Sequence, residues 1–424
     1  MDIFELIKNR DFERIILLKD KSVFNVTLDG ETPFYVSCMI GDLQIAQYIH
    51  SIDNTQHAIC NNKNSTPLLV SCKEGHLEIA KWIYSIDSTQ LNISNNYNIT
   101  PFFMSCYFGH LEIAKWIHSI DNTLYTTNCQ DIPLFFAICE QGHLDVIKWL
   151  HSIDNSLYKI KYNECTPFYI CFEKGHLEVA KWLHSIDDTQ CKIQYNNFTP
   201  FYAACYLNYI DMVKWLHSVD NIQYNVICDG DTPFYLCCKQ GNIELAQWIH
   251  SIDNTQYKIA ANDKNITPFY ISCYNGYFEI AHWIHSIDNT QYKIASINKY
   301  TPFYVSCHKG FFEIAKWIHS IDNTQYLIKN IHDYTPFSTS CIKGHLEIAK
   351  WIHSIDNTQY MIQDINGNTP FFLCCNKERF DIIEWIHSID NTQYLIGNKF
   401  GNTPLKYYEH IQDDKIGSWL KSIS

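Results

Sequence analysis

Thr335–Tyr360, TPFSTSCIKGHLEIAKWIHSIDNTQY, is the stretch whose reading decides the fold. Versions of it begin at Thr32, Thr66, Thr100, Pro133, Thr166, Thr199, Thr232, Thr267, Thr301, Thr335, Thr369 and Thr403, so there are twelve copies, 33 to 35 residues apart. A fixed period of this size marks a solenoid, because each unit is too small to bury its apolar side and must do so against its neighbours. All twelve prolines belong to this motif, and all eleven tryptophans occupy one slot of it, where the first copy has Tyr48.

Each copy predicts two short helices. Thr335 is a natural N-cap and Pro336 suits the first helical position, where the missing N–H costs nothing. About eight residues later comes Gly344; nine copies have Gly in this slot, as expected of the left-handed residue that closes a helix. Asn208 is an acceptable substitute there, whereas Glu378 and Asp413 call for local adjustment. His345–Ile355 is the expected second helix, with Ile348, Trp351, Ile352 and Ile355 forming an apolar stripe. Asp356-Asn357 is the expected stop, with Asn357 left-handed, followed by an extended loop or hairpin. The tryptophans lie on the stripe and are expected to pack between units. The expected organisation is a degenerate capping unit over 1–31, eleven repeats over 32–402 and a C-terminal cap over 403–424.

The net charge of −13 excludes a general affinity for nucleic acid, whose phosphates want a basic stripe. No stretch has the ~18 apolar residues of a membrane helix, and MDIFELIKNRDF is amphipathic rather than a leader. Thirteen of the eighteen cysteines fall at two adjacent slots such as Cys237 and Cys238, where a small buried hydrophobe is wanted. A reduced, cytoplasmic chain is expected.

The pattern TPFYVSCHKGFFEIAKWI over Thr301–Ile318 resembles the ankyrin signature T-P-L-H-x-A-A-x-x-G-H-x-x-I-V-x-L-L. Ser-Cys stands for the paired Ala, Ile-Ala for Ile-Val and Trp-Ile for the paired Leu. Asp29-Gly30, Asp229-Gly230 and Asn366-Gly367 look like that family's hairpin turn, although SIDNTQY replaces its usual entry and copy four begins Pro133-Leu134. The resemblance spans nearly the whole chain. It implies an all-α ankyrin-type solenoid of stacked helix-turn-helix units and a role in binding another protein through a concave groove.

Ten histidines occupy the HSID slot and five follow the inter-helix Gly. None has the C-x2-C…H-x3-H spacing of a zinc site, although His282 and His285 share a helix face. Both Cys and His recur in nearly every copy, so no copy is singled out for nucleophilic catalysis. No catalytic residue, metal or cofactor is therefore expected.

Twelve internal copies also show what varies. One variable set is the residue pair before the inter-helix Gly, including Tyr107-Phe108, Tyr206-Leu207, Tyr274-Asn275 and His308-Lys309; the other is the loop tip before Thr-Pro, including Tyr97, Phe198, Tyr300 and Tyr334. In ankyrin proteins these positions line the groove. Folding does not need aromatics at such places, whereas interfaces use them as anchors. Tyr97, Tyr107, Phe108, Phe198, Tyr206, Leu207 and Tyr274 are accordingly the candidate partner-binding residues of a monomeric interaction scaffold. The rival readings are an adaptor that recruits a signalling or degradation machine, and a mechanical spacer.

Overall fold

The computed structural model describes residues 2–18, 21–221, 223–228, 230–259, 264–408 and 415–423. The chain forms two compact units: residues 1–204 with 211–216, and residues 205–210 with 217–424. Both are built from the same helix pair. In the copy at Thr335, the threonine is extended and its Oγ1 accepts from Ser338 N at 3.1 Å, so the cap satisfies an orphan donor of helix Pro336–Lys343. Gly344 closes that helix with φ 86°. The second helix is Leu346–Ile355, with Ile348, Ala349 and Ile352 buried. Pro133 offers no cap of its own, as its side chain has no acceptor.

Successive first helices lie side by side within each unit, starting with Ile3–Lys8 against Pro33–Ile40. Their shared core is a row of fully buried phenylalanines following the motif Pro, among them Phe34, Phe102, Phe168, Phe234, Phe303 and Phe371. Each ring buries on the order of 150–250 Å². The Ser-Cys slots complete this core. Ser340 Oγ donates to Pro336 O at 2.7 Å, so a hydroxyl is tolerated there only because its own helix satisfies it. Thirteen slot cysteines are buried and all eighteen cysteines are free.

The tryptophans are half-buried and bridge repeats. Trp385 packs on Phe337 and on His353 of the preceding repeat, at 6.2 and 5.6 Å between ring centroids. Ten such His–Trp pairs recur edge to face at 5.2–5.6 Å. Tyr84 fills the same role against Trp116.

The link between repeats departs from expectation. Asp356 ends the second helix in an extended conformation (φ −142°), and Asn357 is not left-handed. The reason is the aspartate side chain. Its Oδ1 accepts from Thr358 N and Oγ1 at 2.9 and 2.7 Å, and its Oδ2 accepts from Gln359 Nε2 at 2.9 Å. These bonds fix a 3-10 turn at Gln359–Met361. The arrangement recurs at Asp53, Asp253, Asp322 and Asp390. SIDNTQ is thus a capping device rather than a left-handed stop.

Two turn types follow. Copies that start after a 33-residue step are preceded by four-residue hairpins such as Tyr162–Cys165, whose central Asn163 and Glu164 both have positive φ. Two residues with φ > 0 define the turn whose twist matches a hairpin. Copies after a 34-residue step use five-residue loops. In Asn330–Tyr334, Asn330 N donates to Tyr334 O at 3.1 Å, and Asn330 Oδ1 accepts from His332 N and Tyr334 N. Only Asp333 is left-handed there. Asp29-Gly30 is a hairpin turn as expected, whereas Asn366-Gly367 lies in a five-residue loop with Gly367 alone left-handed. Asp229 and Asp413 lie outside the described residues. At Glu378 the first helix stops early, at Cys375, and the glutamate itself takes φ 56°.

Candidate functional site

The residue pair before the inter-helix Gly sits at the exit of the first helix, and the loop tips flank the next first helix. Of the seven sequence candidates, Tyr97, Tyr107, Phe108 and Phe198 belong to the first compact unit, and Tyr206, Leu207 and Tyr274 to the second. Tyr97, Phe108, Tyr206 and Leu207 are exposed, at 46, 40, 55 and 37%. The other three are half-buried. Tyr107 stacks on Phe103 at 6.0 Å, meets Phe108 edge-on at 5.3 Å, and its hydroxyl accepts from Gln141 Nε2 at 2.9 Å. Burial, and then the Glu140 carboxylate, push the Tyr107 hydroxyl above its ordinary pKa. Phe198 stacks on Tyr202 at 5.1 Å. Tyr107–Phe108 is the one ring contact among the seven within the described residues.

Tyr274 stands in a cleft of about 690 Å³ on the second unit, formed by first helices and loop tips of successive repeats. Its floor carries Tyr270, Tyr304 and His308, and its rim Tyr300 and Tyr334. Tyr304 packs at a tilt on Tyr300 at 5.1 Å and lies near-parallel to His308 at 6.4 Å, and its hydroxyl accepts from Asn330 Nδ2 at 3.1 Å. The copy at Thr335 contributes a polar exception. Thr339 occupies a slot that is Val305 or Leu373 in adjacent copies, and its hydroxyl sits 2.9 Å from His308 Nδ1. A hydroxyl at an apolar slot is thereby matched by a ring nitrogen one repeat earlier. Burial, followed by Lys343 and Lys309, pulls His308 down to about 4.

Comparing the copies brought out Tyr274, Tyr300 and Tyr334, but Tyr270 and Tyr304 were missed as site residues. Their slot is aromatic in most copies, so they pass for framework. The signal was available in His308, in the same copy as Tyr304, and in the polar Thr339 one repeat later.

The recurrent histidines are engaged in packing. His76, His110, His176 and His345 each place Nε2 within 3.2 Å of a carbonyl at the end of the preceding repeat's first helix. His282 and His285 both pack on Trp317. Burial raises the thiols of Cys72, Cys273 and Cys307, the opposite of what a nucleophilic cysteine needs. No helix among the described residues is long and apolar enough to cross a membrane.

A family model described as ankyrin repeats (3 copies) matches residues 4–95, 50–127, 134–227 and 201–293, overlapping windows that together span more than half of the chain. Comparison with curated proteins returned no match.

Proposed function

Because this chain belongs to the ankyrin-repeat family, whose members are generally non-catalytic protein-interaction modules, we propose that it is a scaffold holding another protein against the face made by first helices and loop tips. The observation that supports this reading is the exposure of Tyr97, Phe108, Tyr206 and Leu207 at slots where the framework makes no demand. Large apolar groups in water cost solubility and return nothing to the core, whereas interface anchors are drawn from such residues. A monomer in the reducing cytoplasm is the setting that suits eighteen free cysteines.

Replacing Tyr97, Phe108, Tyr206 and Leu207 together with Ala tests the proposal by quantitative affinity purification from the native cell. Capture of partner should fall at least about tenfold, the loss of a single hot spot being worth that much. The urea midpoint should move little, as surface changes are usually within about 0.5 kcal/mol each. Undiminished capture, as an adaptor using another surface or a pure spacer would give, contradicts the proposal. So does collapse of the fold.

A further inference from the structure

The charged side chains that line the second unit's cleft are all of one sign, the nearest carboxyl being the buried Asp364 behind Tyr334 and Asn368. Lys264, Lys343 and Lys377 line it, and no carboxylate lines it among the described residues, in a chain whose net charge is −13. All three lysines are exposed. Lys343 and Lys377 stand at the same slot of successive copies, directly before Gly344 and Glu378, and neither is ion-paired within the described residues. Elsewhere this position is neutralised or acidic: Lys174 pairs with Glu140 at 3.1 Å, and the copy at Thr66 has Glu74 there.

The loop tips of the same repeats carry an apolar row. The five-residue loops at Ser296–Tyr300, Asn330–Tyr334 and Asp364–Asn368 each present an exposed isoleucine at the same place: Ile297, Ile331 and Ile365. Earlier loops of this type have Asn62 and Asn96 there. The three isoleucines are held in register by backbone bonds between tips: Ile297 N to Lys264 O, Ile331 N to Asn298 O and Ile365 N to His332 O, at 3.0, 3.3 and 3.1 Å. Ile297 lines the cleft beside its tyrosines, and Ile331 and Ile365 continue the row along the next two tips.

We infer that this cleft seats an extended, acidic segment of a partner protein, its carboxylates toward Lys343 and Lys377 and its apolar side chains along Ile297, Ile331 and Ile365. This rests on the interaction role proposed above and adds the chemistry of the partner. Charge complementarity carries it: positive charge concentrated at one cleft steers an acidic segment there while the rest of the chain repels it. Tyrosine and lysine together also suit single-stranded nucleic acid, which stacks its bases on open aromatic faces. Here the floor rings are not open platforms: Tyr270 and Tyr304 are buried, and Tyr274 is covered by Lys309 at 4.2 Å. A peptide needs only the hydroxyl rims and the lysines.

The test is selection of a random dodecapeptide phage library on the immobilised full-length chain, repeated with Lys343→Glu/Lys377→Glu. Enriched peptides should carry an excess of Asp and Glu over Lys and Arg together with aliphatic residues, and a synthetic copy of the best one should bind the double variant at least about tenfold more weakly. Neutral or basic winners, no enrichment, or unchanged binding by the variant would overturn the inference. Tighter binding of a fluorescent oligouridylate than of the acidic peptide would overturn it too. If partner capture still depends on Tyr97, Phe108, Tyr206 and Leu207 in those cases, the scaffold role stands and only the acidic occupant is lost.

Discussion

Gly75 takes φ 87°, and a Cβ built there would lie 2.7 Å from the His110 ring of the next repeat. Two constraints therefore fall on one residue. The first was legible, since Gly after a short helix signals a left-handed close. The second was not, because it comes from a residue 35 positions away. Gly401 has φ 73° with nothing within 4 Å, so it isolates the conformational cost. Gly401→Ala should cost about 1 kcal/mol, and Gly75→Ala about 2–3 kcal/mol, once the displaced ring and its bond to Lys73 O are included. Chemical denaturation of the two variants should show that gap, and equal losses would mean the ring is free to move aside. His308 gives a pH test. Its folded pKa is depressed to about 4 from 6.5, so the unfolded chain takes up the proton first, and stability should drop as pH falls from 6.5 toward 4. His308→Gln should flatten that part of the stability–pH curve, and an unchanged slope would show that burial of the ring does not matter.

At the scale of elements, the sequence spoke clearly wherever a residue type has one local use. Thr-Pro at the helix start and Gly at its end appear where expected. The link was misjudged because Asp-Asn has two uses. Asn tolerates the left-handed region, but Asp followed by x-Thr-Gln caps a turn from the extended region, and the buried Gln359 makes that the better arrangement. Asp356→Ala should lower stability by about 0.5–2 kcal/mol, the usual worth of a cap, as measured by thermal or urea unfolding. Hydrogen bonds from Gln359 and Thr358 hold the Asp356 carboxyl below its ordinary 3.8. Its contribution is therefore complete above that pH and is lost as acid carries the solution through the lower folded value. A variant as stable as the parent at pH 7 would refute the capping role. The 33- and 34-residue steps were visible in the sequence, yet their meaning, a two-residue left-handed hairpin against an Asn-closed loop, needed the backbone.

For the molecule as a whole, both compact units follow one rule, in which a repeat is completed by its neighbour. Trp385 is covered by Phe337 and His353 of the preceding repeat, and Arg379 Nε reaches Ile342 O at 3.0 Å across the same boundary. Framework residues answer to this stacking, and for that reason the variable aromatic positions stood out when the copies were compared, whereas Lys343 and Lys377 emerged only with the cleft. The cleft itself was only half legible, since a concavity depends on which framework rings border it. Such stacking makes stability a sum of intrinsic repeat terms and interface terms, with the interfaces decisive. Circular dichroism of two fragments measures this directly: one repeat, residues 335–368, and four consecutive repeats, residues 267–402. The four-repeat fragment should be helical and unfold cooperatively while the single repeat shows little helix in water. A single repeat that folded cooperatively by itself would contradict the account.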